Sequence, residues 1–158
     1  MVASSPYHLA ALRQHYQQAA ADKVAGEKFY QLMAGYDQRD PVVLGYKGAA
    51  EAIKARDASL LDKLRYVQAA TQTFEQAVAL NPKSAEIRFL RFSVETNLPS
   101  FLGLSTHIDE DRHVMLTSVL NHPSSGLDAD GFATIRTYLR THGKISPEEA
   151  QKLDNIKH

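Results

Sequence analysis

Residues 81 to 103 read NPKSAEIRFLRFSVETNLPSFLG, an apolar helix entered through Asn-Pro, with Arg88 and Arg91 set into it one turn apart. At about 100° per residue, Ile87, Leu90 and Val94 share one stripe and Phe89 and Phe92 lie toward the opposite side. Arg88, Arg91 and Glu95 are thereby confined to a narrow wedge. Glu86 falls inside the apolar arc, but in the first turn, where free backbone N–H groups and the helix dipole favour a carboxylate. Two chemistries fit. In the first, the wedge is the one wet strip of a nearly buried helix, Arg91 pairs with Glu95 at i,i+4, and the arginine stems cover apolar surface. In the second, the planar guanidiniums line a groove and bind a carboxylate, a phosphate or a peptide. That requires them to be partly exposed beside exposed apolar surface from Phe92 or Tyr46. Arg88, Arg91, Glu95 and Tyr46 are therefore the candidate binding residues.

Other stretches are weaker. STHIDEDRH, residues 105–113, offers His107, Asp109, Glu110, Asp111 and His113 to a metal, but the i,i+4 pairs His107/Asp111 and Asp109/His113 point in different directions and no HExxH spacing occurs. Acidic residues gather at helix starts for dipole reasons alone, with Ser105 or Thr106 as cap. LDADGF resembles a calcium loop. Placing Asp128, Asp130 and Gly131 at the third, fifth and sixth loop positions puts Gly126 first and Thr137 twelfth, where acidic ligands are required, so a helix-capping cluster is the better reading. There is no GxSxG, no GxxxxGK[ST] and no GxGxxG. The expectation is no catalytic residue, no metal and no cofactor.

Composition narrows the partners. Lys plus Arg and Asp plus Glu stand at 18 each and are interspersed, which disfavours nucleic acid as a partner. Without cysteine there is no disulfide framework and no thiolate site. Apolar runs fall far short of the roughly 20 residues that span a bilayer, and MVASSPYHLAALRQHY lacks the regions of a signal peptide. The compartment is periplasmic or exported where a leader has been removed, and otherwise cytoplasmic.

The elements that must position these residues are helical throughout. A length of 158 residues with 44% hydrophobic content suits one compact domain. Leu9, Leu12 and Tyr16 mark a first helix and Val24, Phe29, Leu32 and Met33 a second, broken at Gly35 and Pro41. A third, from Asp40-Pro41 to about Arg56, is rich in small residues (Gly45, Gly48, Ala49), which suits close helix packing. The fourth starts at Ser59 as N-cap and places Leu60, Leu64, Val67, Thr71, Phe74 and Val78 on one face. The quoted helix follows, closed by Pro99, then FLGLST as a loop, then a helix of Ile108, Met115 and Val119, another of Phe132, Ile135 and Leu139 stopped by Gly143, and a short one at ISPEEAQKL. Ser146, Pro147 and Glu149 give that last helix a capping-box start. The expectation is all-α, about seven or eight helices and no sheet, with Leu64, Val67, Phe74, Val78, Ile87 and Leu90 in the core.

Pro41, Pro82 and Pro123 recur every 41 residues, a period in the range of helical-pair repeats, though the aligned residues agree poorly. Ala70, Phe74, Ala77 and Pro82 resemble the second half of a tetratricopeptide repeat (TPR); the first-half Leu-Gly pattern is not in place. The resemblance implies antiparallel helix pairs stacked as a short, divergent, TPR-like right-handed array. More broadly, LGYKGAAEAI, FEQAVALNP, AEIRFLRFSVETNLPSFLG and IDEDR resemble a group of small helical proteins of Bacteroidetes, many made with export signals. That resemblance implies an exported, TPR-like protein and carries over no activity. The domain expected is 1–158, with a TPR-like core over about 7–121 and a C-terminal helical extension over 124–158.

Two function classes follow. One is a non-catalytic helical interaction or scaffold protein holding a peptide or protein in a groove between stacked helices. The alternative is a small-molecule- or metal-binding all-α protein with a pocket between helices.

Overall fold

The computed structural model describes residues 5–99 and 102–156, which leaves the first four residues of the leader reading and the Phe101 end of the FLGLST loop outside the described residues. It is all-helical, with eight helices and no strand among the described residues. Two compact units divide the chain between Pro82 and Lys83.

The first unit holds α1 (Leu9–Ala21), α2 (Lys23–Ala34), α3 (Pro41–Asp57) and α4 (Leu60–Leu80). Side-chain ends begin three of them. The carboxylates of Asp22 and Asp40 accept the first free N–H groups of α2 and α3, and His8 does the same for α1. Pro41 occupies the first turn of α3, where its missing N–H is no loss. Contacts run in opposite senses along successive helices. Tyr7 meets Tyr36 while Tyr16 meets Phe29, Glu27 pairs with Lys54 while Tyr36 O accepts from Lys47, and Glu51 bonds Thr73 while Arg56 O accepts from Lys63. The unit is an up-and-down set with α3 touching all three neighbours. Arg56 also closes the end of α1, donating to the carbonyls of Ala19 and Ala20 at 3.1 Å each.

The small residues of α3 act as the sequence leads one to expect. A Cβ on Gly48 would stand 3.2 Å from three atoms of the Phe74 ring on α4. Phe74 is 2% exposed, so its ring cannot swing away. Gly48→Ala is therefore expected to lower stability in thermal denaturation. Overpacking of about 1–3 kcal/mol outweighs the gain of about 1 kcal/mol in helix propensity.

The buried line of α4 is Val67, Ala70, Phe74 and Ala77. Val67 and Phe74 thus meet expectation and Val78 is only half-buried, but Leu64 is 48% exposed rather than core. The physical reason is register. The seam steps back from Ala77 through Phe74, Ala70 and Val67 to Lys63, and Leu64 stands one position past it.

The second unit holds α5 (Ala85–Glu95), α6 (Ile108–Leu120), α7 (Ala129–His142) and α8 (Pro147–Asp154). Phe92, Met115, Val119, Phe132, Ile135, Leu139 and Leu153 form its core. Residues after 124 therefore share a core with α5 and α6. Ile87 and Leu90 are fully buried as expected. The capping box at α8 is present in both directions, with Ser146 and Glu149 exchanging side-chain and backbone bonds.

Candidate functional site

α5 begins where Ser84 Oγ accepts the N–H of Ile87 at 3.2 Å, and this fixes the phase that brings Arg88 and Arg91 onto one face. Both are buried, at 6% and 3% exposure. Opposite them is the first turn of α6, with Asp111 completely enclosed. Asp111 Oδ2 accepts from Arg91 Nε at 2.8 Å, and Oδ1 accepts from Arg91 Nη2 at 2.7 Å and from Arg88 Nη1 at 3.1 Å. Arg91 thus grips Asp111 with the two-pronged fork that only a guanidinium offers. Glu110 closes the network from the solvent side, with Oε2 bonded to Arg88 Nη1 and, at 3.1 Å, to Arg91 Nη2.

Two cations and two anions are thereby matched in a site where an unmatched charge would be expensive. Burial pulls the Arg91 guanidinium down, and the bonds to Asp111 more than reverse this, leaving it above its ordinary value. Arg88 holds the Glu110 carboxyl below the usual glutamate value. Glu110 therefore contributes stability above the unfolded glutamate pKa, and that contribution is lost as pH falls through the lowered folded value.

Glu95 has a different partner from the one expected. Its Oε1 accepts the backbone N–H of His107 at 2.8 Å, and its Oε2 lies 2.7 Å from His107 Nδ1. The Arg91–Glu95 pairing expected within α5 is replaced by two cross-helix arrangements, because Asp111 and Glu110 approach the arginines from α6. The cap of α6 is corrected too. His107 takes the N-cap position without a side-chain bond to the N–H groups of the first turn, and Glu95, not Ser105 or Thr106, accepts a backbone N–H at this helix start. Ser105 Oγ donates instead to the Glu95 carbonyl at 2.7 Å.

The binding version of this site needs partly exposed arginines beside exposed apolar surface, and Arg88 and Arg91 are buried. Phe92 is fully buried, and Tyr46 is 2% exposed with its ring edge-on to Tyr16 in the first unit. Neither is exposed apolar surface. Among the described residues no group of three or more His, Asp and Glu is placed to hold a metal ion. In LDADGF, Asp128 caps α7 by accepting from Gly131 N at 2.7 Å.

Two features of the first unit do not follow from the helical pattern alone. On α3 of the first unit, Lys47, Glu51 and Lys54 share a face between α2 and α4. Lys54 Nζ lies 5.2 Å from the Tyr30 ring and 5.8 Å from the Tyr66 ring, and Glu51 Oε1 accepts from Thr73 at 2.6 Å. Burial pushes the Glu51 carboxyl up, against the opposing effects of Thr73 and Lys47. A raised folded pKa favours the folded state below the unfolded value and loses that advantage as pH rises through the folded value. Glu51→Gln keeps an acceptor for Thr73 and removes the charge. It is expected to raise the melting temperature at neutral pH, with the gain shrinking as pH approaches the ordinary glutamate value of 4.5.

The second feature is the start of α4. Leu60, Leu61 and Leu64 are 85%, 93% and 48% exposed, three large apolar side chains within two turns. Charges rim them. Arg65 pairs with Asp62 at 3.1 Å, Arg56 pairs with Asp57 at 2.9 Å, and Lys63 Nζ donates to Arg56 O. The signal in the sequence was the Leu-Leu pair directly after the cap, ahead of the α4 seam.

No protein-family model, curated protein sequence or solved structure matches the chain.

Proposed function

We propose that this chain is a non-catalytic, TPR-like helical interaction protein that holds a protein partner against the leucine face at the start of α4. The exposure of Leu60, Leu61 and Leu64 carries this reading. Single exposed leucines are ordinary, but a contiguous apolar group rimmed by charges is the surface character of an interaction site. Antiparallel helix pairing through small residues, as at Gly48 under Phe74, supports the TPR-like part. The arginines of α5 serve the fold in this account. Their hydrogen-bonding groups are turned toward Asp111 and Glu110, and Asp111 is enclosed.

The test is a photo-reactive side chain placed at Leu61, with a second at Gln76 on the exposed polar part of the same helix as control. Irradiated in the cells that make the protein, the first is expected to yield a discrete adduct and the second none. Absence of any adduct at Leu61 would remove the interaction surface from the account.

A further inference from the structure

We infer that the occupant of the leucine face is a second copy of this chain, packed about a two-fold axis. The inference rests on the reading of that face as an interaction surface and names its partner. A two-fold contact lays a patch on itself, so the patch must be self-complementary in both shape and charge. The start of α4 meets the requirement. Its leucines present apolar surface to apolar surface, and its rim carries both signs, Asp62 three residues before Arg65. With two α4 helices antiparallel about an axis near Leu64, Asp62 of one copy stands opposite Arg65 of the other.

The pair that Asp62 and Arg65 make within one chain is half-exposed, with side chains 53% and 68% accessible. It can exchange for two pairs across the axis without stranding a charge. A strongly acidic or basic partner would find no matching field in this rim, and an anionic membrane surface would meet Asp57 and Asp62 beside the cations. The chain's formal net charge of zero leaves no long-range repulsion between copies. Three leucines supply less than the roughly 800 Å² per partner of a standard interface, so the dimer is a weak one whose population follows concentration.

Sedimentation equilibrium of the full chain over a wide concentration range tests this. The wild type is expected to show a reversible monomer–dimer equilibrium, and Leu61→Glu to sediment as monomer with unchanged helical content. The charge swaps remove dependence on a single variant. Asp62→Arg alone and Arg65→Asp alone should each weaken the dimer about tenfold, because the axis makes each change count twice. The double variant Asp62→Arg/Arg65→Asp should regain wild-type affinity, and the two single variants mixed should associate with each other. A wild type that stays monomeric at every concentration overturns the inference, as does a dimer indifferent to these substitutions. The photo-reactive residue at Leu61 separates the two failures. An adduct of a mass other than twice the chain overturns the second copy and leaves the interaction surface standing, and no adduct overturns both.

Discussion

Asp111→Ala is expected to destabilise the protein by about 3–5 kcal/mol, the cost of leaving buried guanidinium groups without their counter-charge. Asp111 takes three of the five hydrogen bonds that join Arg88 and Arg91 to α6, and it is fully enclosed, so no water can replace it cheaply. Urea denaturation followed by circular dichroism measures the loss. Glu110→Ala serves as the comparison. Its side chain is 58% exposed, solvent can stand in for it, and a change within about 1 kcal/mol is expected. Equal losses for the two would mean that the network is less enclosed than its geometry indicates. Glu110, held low by Arg88, keeps its contribution until pH falls through that lowered value.

Phe74→Ala is expected to cost about 3–5 kcal/mol, through lost burial and the cavity left between α3 and α4. The ring is 2% exposed and lies against Gly48, where no side chain can move in to fill the space. The pair gives a sharper result than either change alone. In the Phe74→Ala background, Gly48→Ala loses the ring it would have struck, so its penalty should vanish or reverse, and the coupling measured by a double-mutant cycle should be large. Independent effects would show that α3 and α4 do not meet at these two residues.

Helix positions were legible because their signals are local. Asp40-Pro41, Asp128 and the Ser146–Glu149 box each fix a helix start with atoms a few residues apart, and the structure places all three at N-termini. The wedge of Arg88 and Arg91 was legible as a wedge, and its burial follows from the stripes beside it. Its partners were not. A helical projection sees Glu95 one turn on, whereas Glu110 and Asp111 lie 19 to 23 residues away and meet the arginines only when α6 packs on α5. The acidic run in IDEDR was the available clue. Two arginines bound for a nearly buried strip require carboxylates, and the next helix begins with three. Leu64 failed for the complementary reason. Its spacing fits the apolar pattern of α4, but the seam is set by where α3 lies, and one residue of phase carries Leu64 from core to surface.

The account stands on those leucines belonging to a partner rather than to the fold. Urea denaturation of Leu60→Glu/Leu61→Glu, the two most exposed of them at 85% and 93%, in a sample dilute enough to hold the chain monomeric, addresses this directly. Well-exposed side chains leave folding stability unchanged to within about 0.5 kcal/mol when replaced, and that is the predicted result. A loss of several kcal/mol would place the leucines inside the folded monomer and contradict the assignment of this face to a partner.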